Sequence, residues 1–101
     1  MLAAHASRYL WGEEVSRVYC LLGRAEPALH HAQRCLDECL AHDLAGFDLA
    51  YAHEALARAQ ALAGDRAAAA GSRGRAEQAA TAIEDADDRA LLVADLATLP
   101  A

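Results

Sequence analysis

Apolar residues recur along this chain at spacings of three and four, the pattern of helices that bury one face. From Ala3 to Leu22 the recurring positions are Leu10, Trp11, Val15, Val18, Tyr19 and Leu22, and Gly23 then supplies a stop signal. Gly12 marks where this first helix would divide into two pieces. Pro27 sits in the first turn of a second helix, where its missing N–H costs nothing. Ala28, Leu29, Ala32, Cys35, Leu36, Cys39 and Leu40 form the stripe of that helix, which runs to about His42. Gly46 marks a short loop and Asp48 is the expected N-cap of a third helix, whose Leu49, Ala52, Leu56, Ala59 and Leu62 keep the spacing until Gly64. A fourth helix is expected from near Asp65 to Ile83, through a centre weakened by Gly71 and Gly74 at about 1 kcal/mol each relative to Ala. The acidic run Glu84-Asp85-Ala86-Asp87-Asp88 offers N-caps to a fifth helix carrying Leu91, Leu92, Leu96 and Leu99 before Pro100.

This pattern repeats. A shift of 41 positions lays Ser16-Arg17 on Ala57-Arg58, Leu22-Gly23 on Ala63-Gly64 and Ala28 on Ala69. Two helical hairpins, about 3–42 and 47–83, with a closing helix at about 86–99, therefore make one all-α domain over residues 1–101.

Tyr19, the turn Leu22-Gly23-Arg24-Ala25-Glu26, then Ala28-Leu29 and Cys35-Leu36 resemble the hairpin motif of the tetratricopeptide family. The second copy, Ala57, Leu62-Ala63-Gly64-Asp65-Arg66, Ala69 and Ala76, is fainter. The period is longer than in that family, Ala32 and Arg73 stand where it has an aromatic residue, and no closing Pro follows Leu36. The runs Leu22 to Ala32 and Asp88 to Leu96 also resemble segments of small bacterial proteins, in which more residues separate the counterparts of Tyr9-Leu10-Trp11-Gly12 and Ser16-Arg17-Val18-Tyr19. The resemblance implies about five antiparallel helices stacked as a short right-handed superhelix. It also implies a peptide-binding concave face lined by the first helix of each hairpin. Leu10, Glu13, Arg17, Cys20 and Leu21 would occupy that face in one hairpin, and Tyr51, Glu54, Arg58, Ala61 and Leu62 in the other.

Composition agrees with helices: Ala is the commonest residue and β-branched residues are few. At 101 residues there is room for one core. The formal charge of -6 is shared between both halves, so no basic face exists to neutralise phosphates, and neither nucleic acid nor a membrane is an expected partner. No apolar run approaches the roughly 20 residues of a membrane span, and no secretory leader precedes the first helix, which makes the cytoplasm the expected location. Three cysteines, Cys20, Cys35 and Cys39, suit free thiols in a reducing compartment.

Candidate chemistry is sparse. Glu13 with Arg17 and Glu54 with Arg58 are spaced i, i+4, so each can form an ion pair worth about 0.3 kcal/mol, and the repeat sets the two pairs side by side. With Tyr51 they make a candidate partner-binding groove, in which Arg17 and Arg58 could clamp a carboxylate or hold a structural network. His31, Cys35 and Cys39, with His42 one turn on, share a helix face that could bind Zn or Cu(I), though any buried stripe has this spacing. His53-Glu54 begins a zinc-hydrolase pattern, but Ala57 stands where its second His belongs. No nucleophile elbow or phosphate loop is present, so an enzyme is not expected, and no cofactor is implied. Tyr9, Trp11, Tyr19, Phe47 and Tyr51 are expected as packing anchors. Two hairpins make a marginal solenoid, so self-association, most simply as a homodimer, is expected to cover one end. The reading is a non-enzymatic module that binds a protein or peptide. The alternatives are a small metal- or ligand-responsive protein and a structural subunit of a larger assembly.

Overall fold

The computed structural model describes the backbone of residues 8–100 and the side chains of residues 13–100. Five helices follow one another: α1 (Arg8–Leu21), α2 (Ala25–Ala41), α3 (Phe47–Leu62), α4 (Arg66–Ala80) and α5 (Ala86–Ala97), with no strand among the described residues. The backbone of α1 runs unbroken through Gly12. The stretch expected to begin it at Ala3, and the side chains of Tyr9, Leu10 and Trp11, lie outside the described residues.

Two helices end alike at a spacing of 41 residues. Gly23 (φ 71°) and Gly64 (φ 86°), 41 positions apart, adopt the left-handed conformation that a glycine takes without steric cost. Arg24 N then donates to Tyr19 O (2.8 Å), and Asp65 N donates to Gln60 O (2.9 Å), closing α1 and α3 in the same Schellman geometry. α2 closes likewise, with Leu44 N donating to Cys39 O at 2.9 Å, but Asp43 (φ 53°) takes the glycine's place.

Helix starts follow the sequence less evenly. Asp65 and Asp85 cap α4 and α5, accepting from Ala68 N (3.1 Å) and Asp88 N (2.9 Å). Asp48 does not cap α3: the helix begins two residues earlier, with Gly46 as N-cap, because Phe47 is already turned into the core. A Cβ on Gly46 would lie 3.4 Å from the Ala82 carbonyl oxygen, so the α4–α5 connection packs directly on this turn. α4 passes through Gly71 and Gly74 but stops at Ala80 rather than Ile83. Thr81, Ala82 and Ile83 instead form tight i to i+3 turns, which place the Ile83 side chain in the core, and Arg89 donates to the Ile83 carbonyl.

α3 is the central element and packs against each of the other four helices. Its buried residues, among them Ala50, Tyr51, Ala52, Ala55, Leu56 and Ala57, surround the helix instead of forming one stripe. One core lies between α3, α4 and α5, with Tyr51, Ala57, Ala76, Ile83, Leu92, Leu96 and Leu99. A second lies between α2 and α3, with Ala32, Cys35, Leu36, Cys39, Ala52, Ala55 and Leu56. Small residues let these helices approach closely, and α5 covers the open side of the second hairpin by burying Leu92 and Leu96. No helix among the described residues is long and apolar enough to cross a membrane.

Candidate functional site: an ionic cluster and an open cleft

Helical spacing places Glu13 and Arg17 on one face of α1, and Tyr51, Glu54 and Arg58 on one face of α3. The five converge, and α5 completes the cluster with its last turn. Tyr51 Oη donates to Asp95 Oδ2 at 2.6 Å. Arg58 Nε donates to Glu54 Oε1 at 2.9 Å, while Arg58 Nη2 lies 2.8 Å from the same carboxylate. That Nη2 also donates to the Asp95 carbonyl (3.1 Å) and to Thr98 Oγ1 (2.8 Å), tying α3 to the end of α5. Arg17 Nη2 lies 3.6 Å from Asp95 Oδ1.

Burial divides these residues into a floor and a rim. Glu13, Tyr51 and Glu54 are buried, Glu54 completely, and Glu54 Oε2 has no hydrogen-bond partner among the described residues. Burial, reinforced by the nearby Glu54 charge, pushes the Glu13 carboxyl up to about 7, so near neutrality it takes up a proton readily. Burial raises Glu54 too, against the opposing charge of Arg58. Burial and donation to Asp95 push the Tyr51 phenol up, which keeps it a hydrogen-bond donor at any physiological pH. Arg17 keeps 38% of its side chain exposed and Arg58 keeps 17%.

Above the two arginines lies an open cleft of about 540 Å³, lined by Arg17, Cys20, Leu21, Arg58, Ala61 and Leu62 and bounded by Thr98 and Pro100. Leu21 is 82% exposed, and Val18 and Leu22 beside it are also exposed, so an apolar patch continues from the cleft over the end of α1. The cluster joins these arginines to a buried acidic floor. What it can do is hold two guanidinium groups beside an apolar surface.

Asp95 and Thr98 were not singled out in the sequence. The Tyr51–Asp95 contact spans 44 positions, and no local periodicity encodes such a pairing. Tyr19 stacks on the His31 ring at 5.6 Å, while Phe47 lies 4.9 Å from Tyr51 at the start of α3.

The His/Cys face of α2 separates into unrelated contacts. Cys35 and Cys39 are buried and hydrogen-bonded to one another, which raises the Cys35 thiol and lowers that of Cys39. His31 lies between Tyr19 and an edge contact with His30 at 5.2 Å. His42 Nε2 lies 3.6 Å from Glu38 Oε2, with about half of each side chain exposed. Among the described residues no group of three or more His, Cys, Asp or Glu could hold a metal ion. Comparison with known proteins returns no match, whether to family models, curated proteins or solved structures.

Proposed function

We propose that this chain is a non-enzymatic, tetratricopeptide-like module that binds a peptide segment of a partner protein across the face of α1 and α3. In this reading the hairpins stack as a short right-handed superhelix, and α5 closes one end. Arg17 and Arg58 orient the partner from the rim, while Glu13, Tyr51 and Glu54 hold that rim from below. The protein works in the cytoplasm as a homodimer.

The observation that carries the reading is the open cleft beside the ionic cluster. It joins a leucine left 82% exposed to two positioned guanidinium groups, and apolar contact with a few fixed polar groups is how peptides are commonly recognised. The 41-residue repeat supports the stacking, since the two arginines and the two glycine-terminated helices are its equivalent positions. Exposed Val18 and Leu22 support self-association, because contiguous apolar surface beside a groove marks contact sites.

Selection of displayed random peptides on the purified protein tests the reading. A recurrent motif should emerge that loses binding to Leu21→Asp and to Arg17→Ala. Absence of any motif, or equal binding to both variants, would overturn it. Light scattering decides the dimer separately, with twice the chain mass expected.

A further inference from the structure

A second cleft, of about 220 Å³, lies between α3 and α4 and is bounded by Leu99 and Pro100. Alanines, including Ala61, Ala69 and Ala70, make its apolar surface, and Arg66 and Arg73 line it from α4. Seven residues of helix separate these arginines by about 10 Å along the axis. No acidic residue lines the cleft, in a chain with 15 acidic and 9 basic residues. Arg66 makes no ion pair with a described residue, and Arg73 Nε lies 4.0 Å from the exposed Glu77 carboxylate, the outer limit of such a pair.

The repeat supplies an internal control. At the positions of Arg66, Ala70 and Arg73 the first hairpin has Ala25, Leu29 and Ala32, one stripe at i, i+4 and i+7. There Leu29 packs on the α2–α3 core and Ala32 is fully buried. The second hairpin has lost the leucine from the centre of the stripe and gained a cation on each side. Emptying a position and charging its flanks are separate differences, and together they leave a cleft apolar in the middle with a cation on each flank.

We propose that this cleft binds a short aliphatic molecule bearing a carboxylate at each end. Its methylene chain lies over the alanines, and its carboxylates meet Arg66 and Arg73. Guanidinium groups take carboxylate oxygens bidentately, and the cleft is smaller than the roughly 300–1,000 Å³ of sites for drug-sized ligands, which selects a compact molecule. The site adjoins the α1–α3 groove, with which it shares Ala61 and Pro100, but neither Arg17 nor Arg58 lines it.

The test is calorimetric titration of the full chain with the α,ω-dicarboxylates from succinate to suberate. Matching monocarboxylates, the matching diamides and sodium sulfate at equal ionic strength serve as controls. One chain length should bind best, with affinity falling about tenfold or more when both arginines are neutralised (Arg66→Gln with Arg73→Gln). Ala70→Leu should abolish binding while keeping both charges, since it restores the leucine that the first hairpin carries. Circular dichroism confirms that each variant is folded. Binding no tighter than that of a monocarboxylate or sulfate, or affinity unchanged in Ala70→Leu, would overturn the proposal.

Discussion

In the first hairpin the Ser16 hydroxyl donates to the Ala28 carbonyl at 2.8 Å, fully buried, and ties the α1–α2 crossing. In the second hairpin Ala57 and Ala69 occupy the equivalent places, and both line a cleft instead. The ionic pairs diverge as well. Arg58 closes on its own Glu54 at 2.8 Å and reaches the last turn of α5, whereas Arg17 reaches past Glu13 to Asp95 at 3.6 Å. Both hairpins carry the same pair at the same spacing, so the pattern does not decide the strength of the contact. What covers the pair decides it: α5 lies over α3 and leaves Arg58 17% exposed, while Arg17 at the end of α1 keeps 38%.

The sharpest way to break this contrast is to remove each arginine in turn. Arg58→Ala leaves the wholly buried Glu54 carboxylate uncompensated and should cost about 3–5 kcal/mol, read from the urea midpoint. Arg17→Ala removes a half-open contact and should cost under about 1 kcal/mol. Equal losses would mean that the two pairs are equivalent after all.

Protonation sharpens the comparison next. Glu13 lacks the close pairing of Glu54, and its carboxyl is raised from 4.5 to about 7 in the folded chain. The folded state therefore binds the proton more tightly than the unfolded chain does. The stabilisation is fully present below about pH 4.5 and is lost as pH rises through 7. Glu13→Gln, which stays neutral, should match the parent in acid and exceed it above pH 7 by roughly 3 kcal/mol. Denaturation across that range, with parallel curves for the two proteins, would remove Glu13 as the cause.

Smaller effects follow at the crossings. Ser16→Ala converts the first crossing to the residue of the second and should cost about 1 kcal/mol, by removing a buried hydrogen bond and leaving the Ala28 carbonyl only its donor within α2. Gly74→Ala should raise stability by about 0.5–1 kcal/mol, because a Cβ there meets nothing within 4 Å and alanine is the better helix former. Thermal melts resolve both, and a loss at position 74 would point to a contact at that surface.

Helix number and most boundaries were legible in the sequence because they are written locally. Gly23, Gly64, Asp65 and Asp85 each act within one turn, and the apolar stripes of α2 and α5 follow from their own periodicity, except that Leu40 and Leu91, expected in those stripes, are exposed. The start of α3 and the end of α4 were not legible, since tertiary burial of Phe47 and Ile83 overrode the local signals at Asp48 and beyond Ala80. The site was legible in the same uneven way. Spacing grouped Glu13 with Arg17, and Tyr51 and Glu54 with Arg58, but the division into buried floor and exposed rim depends on α5. Asp95 and Thr98 join through contacts 37 to 78 positions away in the chain, for which a single sequence carries no period.

The two apolar cores share no residue and touch opposite sides of α3. Cooperative opening is limited by how much burial is lost together. An excursion that lifts α5, and with it Leu92 and Leu96, leaves Leu36, Cys39 and Leu56 in their packing. The molecule can thus loosen one layer while the other stays shut, with α3 as the wall common to both.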